Sequence, residues 1–302
     1  MTPRSICLLG GTGFLGSALC ARLAGAGYRL TVLTRHAARG RHLEVLPSLR
    51  VLQADVHDRE RLTAALRGHD AAVNLVGILN ERGRGGAGFR EAHTDLARSL
   101  VAACRAARVD RLLHVSALNA DPDRGPSHYL RSKGEAERIV RDESGPDLRW
   151  TIFRPSVIFG AGDSFTTRFA RLLAAVPLAL PLARPAARLA PVWVGDVAAA
   201  LQRALEDPDT AGECYQLCGP ESLTLREAAC WIRDELGLSK AVIGLPDAVA
   251  RLQALAMDFL PGKPFSTDNY RSLSVDSLCT ENGFARLGLR PHSMRALAPR
   301  WL

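Results

Sequence analysis

The sequence contains no long apolar run, which argues against a helix that crosses a membrane. Its longest such run, Leu172–Ala183, has twelve residues with two prolines, well short of the about 20 residues that span a bilayer. No leader precedes the first predicted strand, so no signal peptide is expected. A mean hydropathy near zero is typical of a soluble globular protein of one or two domains. We therefore predict a cytoplasmic protein, with peripheral contact at the inner face of the cytoplasmic membrane as a less favoured alternative.

Lysine is scarce, and the basic residues form no dense cluster. The formal net charge is +8, but only Lys133, Lys240 and Lys263 are lysines and the arginines are scattered along the chain. A nucleic-acid-binding face usually concentrates its cations on one surface or along one helix. The sequence therefore predicts no nucleic-acid partner.

Metal-binding patterns are also missing. The seven cysteines are an odd number at irregular spacing, and several lie in apolar runs, where cysteine behaves as a small hydrophobe. No second ligand pair accompanies Cys214 and Cys218, so we expect no zinc site. A reducing compartment is the simplest setting for these residues.

The most informative feature present is the glycine cluster Gly10–Gly16. It follows an apolar run, Ile6–Leu9, and it precedes a helical pattern and a second β-rich run, Leu30–Leu33. This is the strand–turn–helix–strand context of a dinucleotide-binding fingerprint, in which a pyrophosphate lies on the N–H groups at the helix start. The cluster predicts a dinucleotide cofactor.

The end of the second predicted strand bears on which dinucleotide is bound. An NAD-binding chain usually carries an acidic residue there, which holds the ribose 2′-hydroxyl. This sequence instead has Thr34 followed by Arg35. A guanidinium pairs well with a 2′-phosphate, so NADP(H) is favoured over NAD(H).

Short apolar runs alternate with helical patterns through the first half of the chain, which predicts an α/β fold with a doubly wound parallel sheet. Strands are expected near 5–10, 29–34, 50–54, 71–76, 110–116 and 149–154. Helices are expected near 14–25, 58–67, 89–107 and 128–144.

After Arg154 the alternation ends in a proline-rich region, which predicts a change of organisation. We expect a nucleotide-binding domain over 1–155, to which 190–206 returns, and a smaller substrate or partner lobe over 156–302. The amphipathic stretch Asp247–Phe259 is expected to pack onto the domain rather than to contact a membrane.

Tyr129 and Lys133 are the strongest catalytic candidates. Their i, i+4 spacing within a helical pattern puts both side chains on one helix face. A nearby ammonium would lower the tyrosine pKa, so that the phenol could exchange a proton with a carbonyl or hydroxyl group. The same lysine could reach the ribose hydroxyls of a bound dinucleotide.

Several motifs in this order resemble the extended and atypical short-chain dehydrogenase/reductases. They are the glycine cluster, the Tyr129–Lys133 pair, the RPSVIFG run of 154–160 and the PVWVGDVA run of 191–198. The SHYLRSKGE run of 127–135 and the LGLRP tail of 287–291 are similar to bacterial relatives of the nucleotide-binding accessory subunit of respiratory complex I. The resemblance covers essentially the whole chain.

This resemblance implies a set of cofactor contacts. The pyrophosphate would lie on the glycine turn, the adenosine ribose near the second strand, the adenine after the third strand, and the nicotinamide after the sixth. In that order the implied residues are Gly10, Thr12, Gly13, Phe14, Leu15 and Gly16; Thr34 and Arg35; Asp55 and Val56; and Pro155 and Val157, with Val76 and Gly77 beneath the cofactor and Lys133 at its ribose.

The sequence departs from the active enzymes just after the fifth strand. Those enzymes carry a serine or threonine there, which hydrogen-bonds the reacting oxygen. Ser116 is present, but the positions where that residue usually lies hold Ala117 and Leu118. Ser116 or Asn119 would have to orient the substrate instead.

Three functions therefore remain open. The first is an NADP(H)-dependent oxidoreductase acting on an apolar carbonyl or hydroxyl compound, with Tyr129 as acid/base, Lys133 as its modulator and Ser116 as the preferred orienting residue. The second is a non-catalytic NADPH-binding module that docks on a respiratory or membrane protein assembly. The third, least favoured, is a sugar-nucleotide epimerase or dehydratase. The sequence does not identify the small-molecule substrate.

Overall fold

A computed structural model describes residues 4–261 and 263–301. Its strands are β1 (Ser5–Leu9), β2 (Arg29–Thr34), β3 (Leu49–Gln53), β4 (Ala71–Asn74), β5 (Arg111–Val115), β6 (Arg149–Pro155), β7 (Ile158–Phe159), β8 (Ala179–Leu182), β9 (Arg188–Leu189), β10 (Val192–Trp193), β11 (Cys214–Leu217), β12 (Leu223–Thr224) and β13 (Ala241–Gly244).

Helices surround these strands and connect them. The α-helices are α1 (Phe14–Gly25), α2 (Arg59–Leu66), α3 (Ala87–Phe89), α4 (Leu96–Ala107), α5 (His128–Glu143), α6 (Thr166–Ala175), α7 (Val194–Glu206), α8 (Leu225–Glu235), α9 (Asp247–Met257), α10 (Thr267–Ser272), α11 (Gly283–Arg286) and α12 (Met294–Leu297). Short 3₁₀ segments cover Ala37–Leu43, Pro208–Thr210 and Ala298–Arg300, and a π-helix covers Arg90–Asp95.

Seven parallel strands form the main sheet, in the order β11-β6-β5-β4-β1-β2-β3. The strand order reverses between β1 and β4. In open α/β sheets, ligands bind in the crevice at the carboxyl ends of the strands where the order reverses. The topology therefore places the expected nucleotide site above β1 and β4.

Both faces of the sheet are covered, as its continuous apolar strands require. Helices α1 and α7 pack on one face, through residues such as Leu23 and Leu201. Helices α2, α4 and α5 cover the other, through residues such as Leu62 and Leu100. The predicted doubly wound parallel sheet is confirmed, and each of the six predicted strands lies within about two residues of an observed one.

The second half of the chain has a core of its own, in which Phe159, Leu173, Leu225 and Met294 are buried together. It also contributes to the main sheet, since β11 pairs with β6 and α7 packs on α1. The division into 1–155 and 156–302 stays a prediction, and residues 1–3, 262 and 302 of it lie outside the described residues.

Cys218 and Cys279 form a disulfide across 61 residues of sequence, a pairing that the irregular cysteine spacing did not indicate. Tertiary packing brings the two together, because the segment around Thr280 hydrogen-bonds Gln216 on β11. The remaining cysteines are unpaired. Burial raises the pKa of Cys7 and of Cys20 to about 12, which agrees with their expected behaviour as small hydrophobes.

Over residues 4–261 and 263–301, we find no helix with the length and apolar character needed to cross a membrane.

Candidate functional site

The glycine turn after β1 is tight enough to need glycine at two positions. Gly10 has a φ of 79°, and a Cβ there would lie 3.0 Å from the backbone of Leu75 and Val76. A Cβ on Gly16 would lie 2.4 Å from the carbonyl oxygen of Gly10. The turn therefore runs against the chain leaving β4, at the point where the strand order reverses.

Helix α1 begins without a side-chain cap. Its N-cap is Gly13, no side chain accepts a hydrogen bond from the first turn, and that turn contains no acidic residue. A helix start of this kind offers backbone N–H groups and the positive end of the helix dipole to an anion. The turn and the helix start, which include Thr12, Phe14 and Leu15, fit a dinucleotide pyrophosphate.

At the end of β2, Thr34 and Arg35 differ in whether a bound nucleotide could reach their side chains. The Thr34 side chain is buried, and its hydroxyl donates to the His36 carbonyl at 3.2 Å. Arg35 is exposed. Thr34 therefore shapes the turn, and Arg35 is the residue of this pair that a ribose phosphate could reach.

Asp55 and Val56 follow β3 at the same edge of the sheet. The Asp55 carboxylate accepts from the His57 N–H at 3.1 Å, and Val56 is buried. The structure thus gathers the expected adenine-side residues after β1, β2 and β3. Their contacts with a nucleotide stay predictions.

Lys133 is buried on α5 and is bonded to the ends of two strands. Its Nζ donates to the carbonyls of Val76, at 3.3 Å, and Val115, at 3.0 Å. Burial lowers the pKa of Lys133 to about 8. A Cβ on Gly77 would lie 3.3 Å from this Nζ, so the ammonium lies directly against the segment expected to pass beneath a cofactor.

Tyr129 lies one turn earlier on α5 and is half-buried. Its ring meets the rings of Phe89 and His93 edge-on, at centroid distances of 6.1 and 5.6 Å. Burial and the nearby Asp268 carboxylate raise the pKa of Tyr129 to about 12. The expected lowering of this pKa is therefore not found in the described structure, because burial and the Asp268 charge outweigh any effect of the Lys133 ammonium.

His93 is a buried residue of the site that the sequence did not indicate. The π-helical segment Arg90–Asp95 carries it, and such irregular turns are frequent at functional sites. Its Nε2 accepts from the Ile78 N–H at 3.2 Å, and its Nδ1 donates to the Ser132 hydroxyl at 2.8 Å. Burial and the Lys133 charge lower the pKa of His93 to about 2, so the imidazole is neutral.

Two buried polar atoms near the end of β5 have no hydrogen-bond partner among the described residues. They are the Ser116 hydroxyl and Nε2 of His114. The other ring nitrogen of His114 accepts from the Asn74 amide at 3.1 Å. An unpartnered buried polar group is costly, which makes these atoms candidates for contact with a ligand in the crevice.

The alternative orienting residue, Asn119, is already engaged. Its amide donates to the Asp276 carbonyl at 2.9 Å, and its φ is 61°. Ala117 and Leu118 are buried. Of the residues considered from sequence, Ser116 is therefore the one left with an unpartnered polar side chain.

Pro155 and Val157 lie where β6 ends, at the same edge of the sheet, with Pro155 buried and Val157 half-buried. Between them the Ser156 hydroxyl donates to the Ser277 carbonyl at 2.9 Å. The segment around Ser277 thus lies against the end of β6, and the contact of Pro155 and Val157 with a nicotinamide stays a prediction.

Asp268, on α10, is a second residue that sequence reasoning missed. Its carboxylate accepts from the backbone N–H of His128 at 2.7 Å and of Tyr129 at 3.1 Å. It therefore caps the start of the helix that carries Tyr129 and Lys133. No local pattern could have shown this, because 140 residues separate Asp268 from His128.

The glycine-rich segment after β4 is held in place. The buried Glu81 carboxylate accepts from the N–H of Gly86 at 2.7 Å and of Gly88 at 2.9 Å, and Lys263 donates to the Gly83 carbonyl at 2.5 Å.

Within residues 4–261 and 263–301, no three histidine, cysteine, aspartate or glutamate side chains lie close enough together to hold a metal ion.

Comparison with known proteins agrees with this geometry. A family model described as NAD(P)H-binding matches residues 10–174. The mitochondrial NADH dehydrogenase (ubiquinone) 1 alpha subcomplex subunit 9 of Arabidopsis thaliana is 28% identical over 312 residues, which cover 98% of this chain and 76% of that protein. The ceramide reductase of Caulobacter vibrioides is 34% identical over 201 residues, 65% of this chain and 59% of that one.

Among solved structures, the dTDP-glucose 4,6-dehydratase DesIV of Streptomyces venezuelae, with NAD bound, superposes with a TM-score of 0.77. The match covers 98% of this chain and 95% of that one at 23% identity. Similarity at this level shows a shared fold.

Proposed function

The chain belongs to the NAD(P)H-binding family, and we propose that it is an NADP(H)-dependent reductase of an apolar carbonyl compound. The observation that carries this proposal is the arrangement around α5. Tyr129 and Lys133 lie one turn apart on one face of the helix, and the Lys133 Nζ donates to the carbonyl of Val115, the residue before Ser116, whose buried hydroxyl lacks a partner among the described residues. A protonated phenol beside a cation can donate a proton to a carbonyl oxygen that a serine hydroxyl orients.

Tyr129 and Lys133 supply the proton transfer in this reaction. When bound, a reduced nicotinamide supplies the hydride that adds to the carbonyl carbon. Tyr129 gives its proton to the carbonyl oxygen, so that an alcohol forms. Lys133, with a pKa of about 8, carries a positive charge at neutral pH and stabilises the phenolate left on Tyr129.

Ser116 would orient the carbonyl oxygen. Its hydroxyl is buried at the end of β5 and lacks a partner among the described residues, whereas the Asn119 amide is occupied. The named activity of the Caulobacter relative, a ceramide reductase, supports an apolar substrate.

The preference for NADP(H) rests on Arg35. It is exposed beside the end of β2, and no acidic residue stands at that position to repel a 2′-phosphate. A guanidinium that makes bidentate hydrogen bonds to a phosphate adds affinity that NADH could not use.

The proposed function is tested by Tyr129→Phe, with NADPH consumption followed on a panel of hydrophobic ketones of increasing chain length. We expect turnover to fall by about 10²-fold or more, while the NADPH dissociation constant changes little. Tyr215→Phe is the matched control, because Tyr215 lies on β11, stacked on Phe153. Equal turnover in Tyr129→Phe and the unaltered protein would refute the assignment.

A second candidate function is a non-catalytic NADPH-binding module of a respiratory assembly. Buried Ala117 and Leu118, at the positions where active enzymes carry serine or threonine, favour it. The name of the Arabidopsis relative, an NADH dehydrogenase subunit, points in the same direction. Native mass spectrometry separates the two: NADPH retained through dialysis, without turnover on any ketone, supports the module, and rapid exchange with turnover supports the reductase.

A sugar-nucleotide epimerase or dehydratase is the third and weakest candidate, supported by the shared fold alone. A dehydratase would need an acidic side chain near Ser116, but the Asp121 carboxylate is engaged in a turn, where it accepts from the N–H groups of Asp123 and Arg124. Turnover on a panel of nucleotide sugars would be needed to sustain it.

A further inference from the structure

Helix α9 turns a continuous apolar face to solvent, which we call the α9 face. Its side chains are 48–72% exposed. Val249, Leu252 and Leu255 recur every three positions, which places them on one side of the helix, and Phe259 and Leu260 follow just past its end. The α9 face consists of Val249, Leu252, Leu255, Phe259 and Leu260.

The opposite side of α9 explains why these large residues point outward. Ala250 and Ala254 are the buried residues of the helix, and they pack with Tyr270 of α10. Such small side chains let α9 approach its neighbour closely while burying little apolar surface. The stretch packs onto the domain, as expected, through its alanine side, and its leucine side is left exposed.

Cations border the α9 face. The Arg84 guanidinium lies 3.6 Å from the centroid of the Phe259 ring, and Lys263 follows four residues after that ring. Exposed Arg82 lies in the same loop as Arg84. These side chains therefore place positive charge beside Phe259, the aromatic residue of the α9 face.

The acidic groups nearby are turned inward or paired. Asp258 is buried and accepts from the Thr267 hydroxyl at 2.8 Å. Glu81 is buried against backbone N–H groups. Asp247, at the start of α9, is paired with Arg251 at 3.0 Å. The charge left to act on a partner is positive.

We propose that the α9 face docks on the surface of an anionic phospholipid bilayer. An amphipathic helix with an apolar face and a cationic border lies in the plane of such an interface, with its apolar side chains among the acyl chains and its cations at the lipid phosphates. A second copy of this chain fits less well, because an isologous contact would bring two positively charged borders together.

The α9 face adjoins the segment that follows Gly77, because α9 packs on α10 and α10 contacts that segment. Leu79, 47% exposed, lies two residues beyond Gly77, and its carbonyl accepts from the Asn269 amide of α10. The inference rests on the surface alone and is independent of whether the chain turns over a substrate.

The test is co-sedimentation of the purified full chain with vesicles. Two compositions are compared: phosphatidylcholine alone and phosphatidylcholine mixed with phosphatidylglycerol. We expect binding to the mixed vesicles, weakened by added salt. Leu252→Glu with Phe259→Glu should reduce the partition coefficient by about tenfold or more, and Arg84→Gln with Lys263→Gln should remove the preference for phosphatidylglycerol.

Val45→Glu is the matched control. Val45 is an equally apolar side chain, 83% exposed, beside the 37–43 segment that packs on β2 and β3. All substituted side chains are at the surface, and retained circular dichroism would confirm that each variant folds.

Three results would overturn the proposal. The first is that the unaltered protein stays in the supernatant when the mixed vesicles sediment. The second is vesicle binding that the Leu252→Glu/Phe259→Glu variant retains in full. The third is a dimer in size-exclusion chromatography that this variant converts to a monomer, because a second copy would then cover the α9 face.

Discussion

Asp268→Asn tests the two effects that this carboxylate exerts on helix α5. The carboxylate accepts two backbone hydrogen bonds, from His128 at 2.7 Å and Tyr129 at 3.1 Å, and it raises the pKa of Tyr129. An asparagine keeps the size of the side chain but removes the charge and one acceptor oxygen. The substitution should therefore weaken the cap and lower the pKa of Tyr129 together.

The stability cost follows from the geometry of the cap. Replacing an N-cap acceptor costs about 0.5–2 kcal/mol, and the lost charge also acted on the positive end of the α5 dipole. Because Asp268 is buried, we expect a cost of about 1–2 kcal/mol, which lowers Tm by about 2–4 °C. Scanning calorimetry measures this change.

The pKa of Tyr129 should fall from about 12 but stay above its ordinary value of 10.0, because burial is its larger cause. The ultraviolet difference titration of Asp268→Asn against Asp268→Asn/Tyr129→Phe isolates this one phenol. Asp58→Asn is the control, since Asp58 also caps a helix through two N–H groups, at 3.1 Å each, but its side chain is 41% exposed and lies at the start of α2. An unchanged Tyr129 titration in Asp268→Asn would refute the coupling between the two residues.

Three further predictions concern the crevice. Gly16→Ala should weaken NADPH binding about tenfold or more by fluorescence titration, because its Cβ would lie 2.4 Å from the Gly10 carbonyl; unchanged affinity would show that the turn is not the binding element. Arg35→Glu should lower NADPH affinity about 10- to 100-fold and leave NADH affinity nearly unaltered, whereas an equal loss for both cofactors would contradict the 2′-phosphate assignment. Lys133 has a pKa of about 8 in the fold against 10.5 ordinarily, so unfolded chains bind more protons between these values and stability should rise with pH across that window; urea titrations of Lys133→Met should lack this rise.

Local pattern was sufficient for the nucleotide half of the fold. Predicted helix 14–25 and strand 29–34 coincide with α1 and β2, because the periodicity of apolar residues and the glycine turn act over a few residues each. The cofactor class followed for the same reason, because the glycine cluster and the helix after it lie in one short segment, within which a Cβ on Gly16 would meet the Gly10 carbonyl. The close approach of Gly10 to Leu75 and Val76 appears only in the tertiary structure.

The chemistry of the crevice depended on contacts across the chain. The i, i+4 spacing of Tyr129 and Lys133 fixed their helix face correctly, but the Lys133 ammonium is taken by the Val76 and Val115 carbonyls, 57 and 18 residues away in sequence. A pKa depends on all charges and burial around a group. Sequence spacing could therefore place the two residues but not assign their protonation.

The sequence by itself determined a parallel, doubly wound, dinucleotide-binding sheet, because strand and helix periodicity and the glycine cluster are local patterns. Only the tertiary structure decided that Asp268 caps the start of α5, that His93 lies buried and neutral beside Ile78 and Ser132, and that α9 turns its leucines outward. Each of these depends on which distant segments become neighbours. An amphipathic pattern shows that a helix has an apolar face, whereas the packing of Ala250 and Ala254 decides which face is left uncovered.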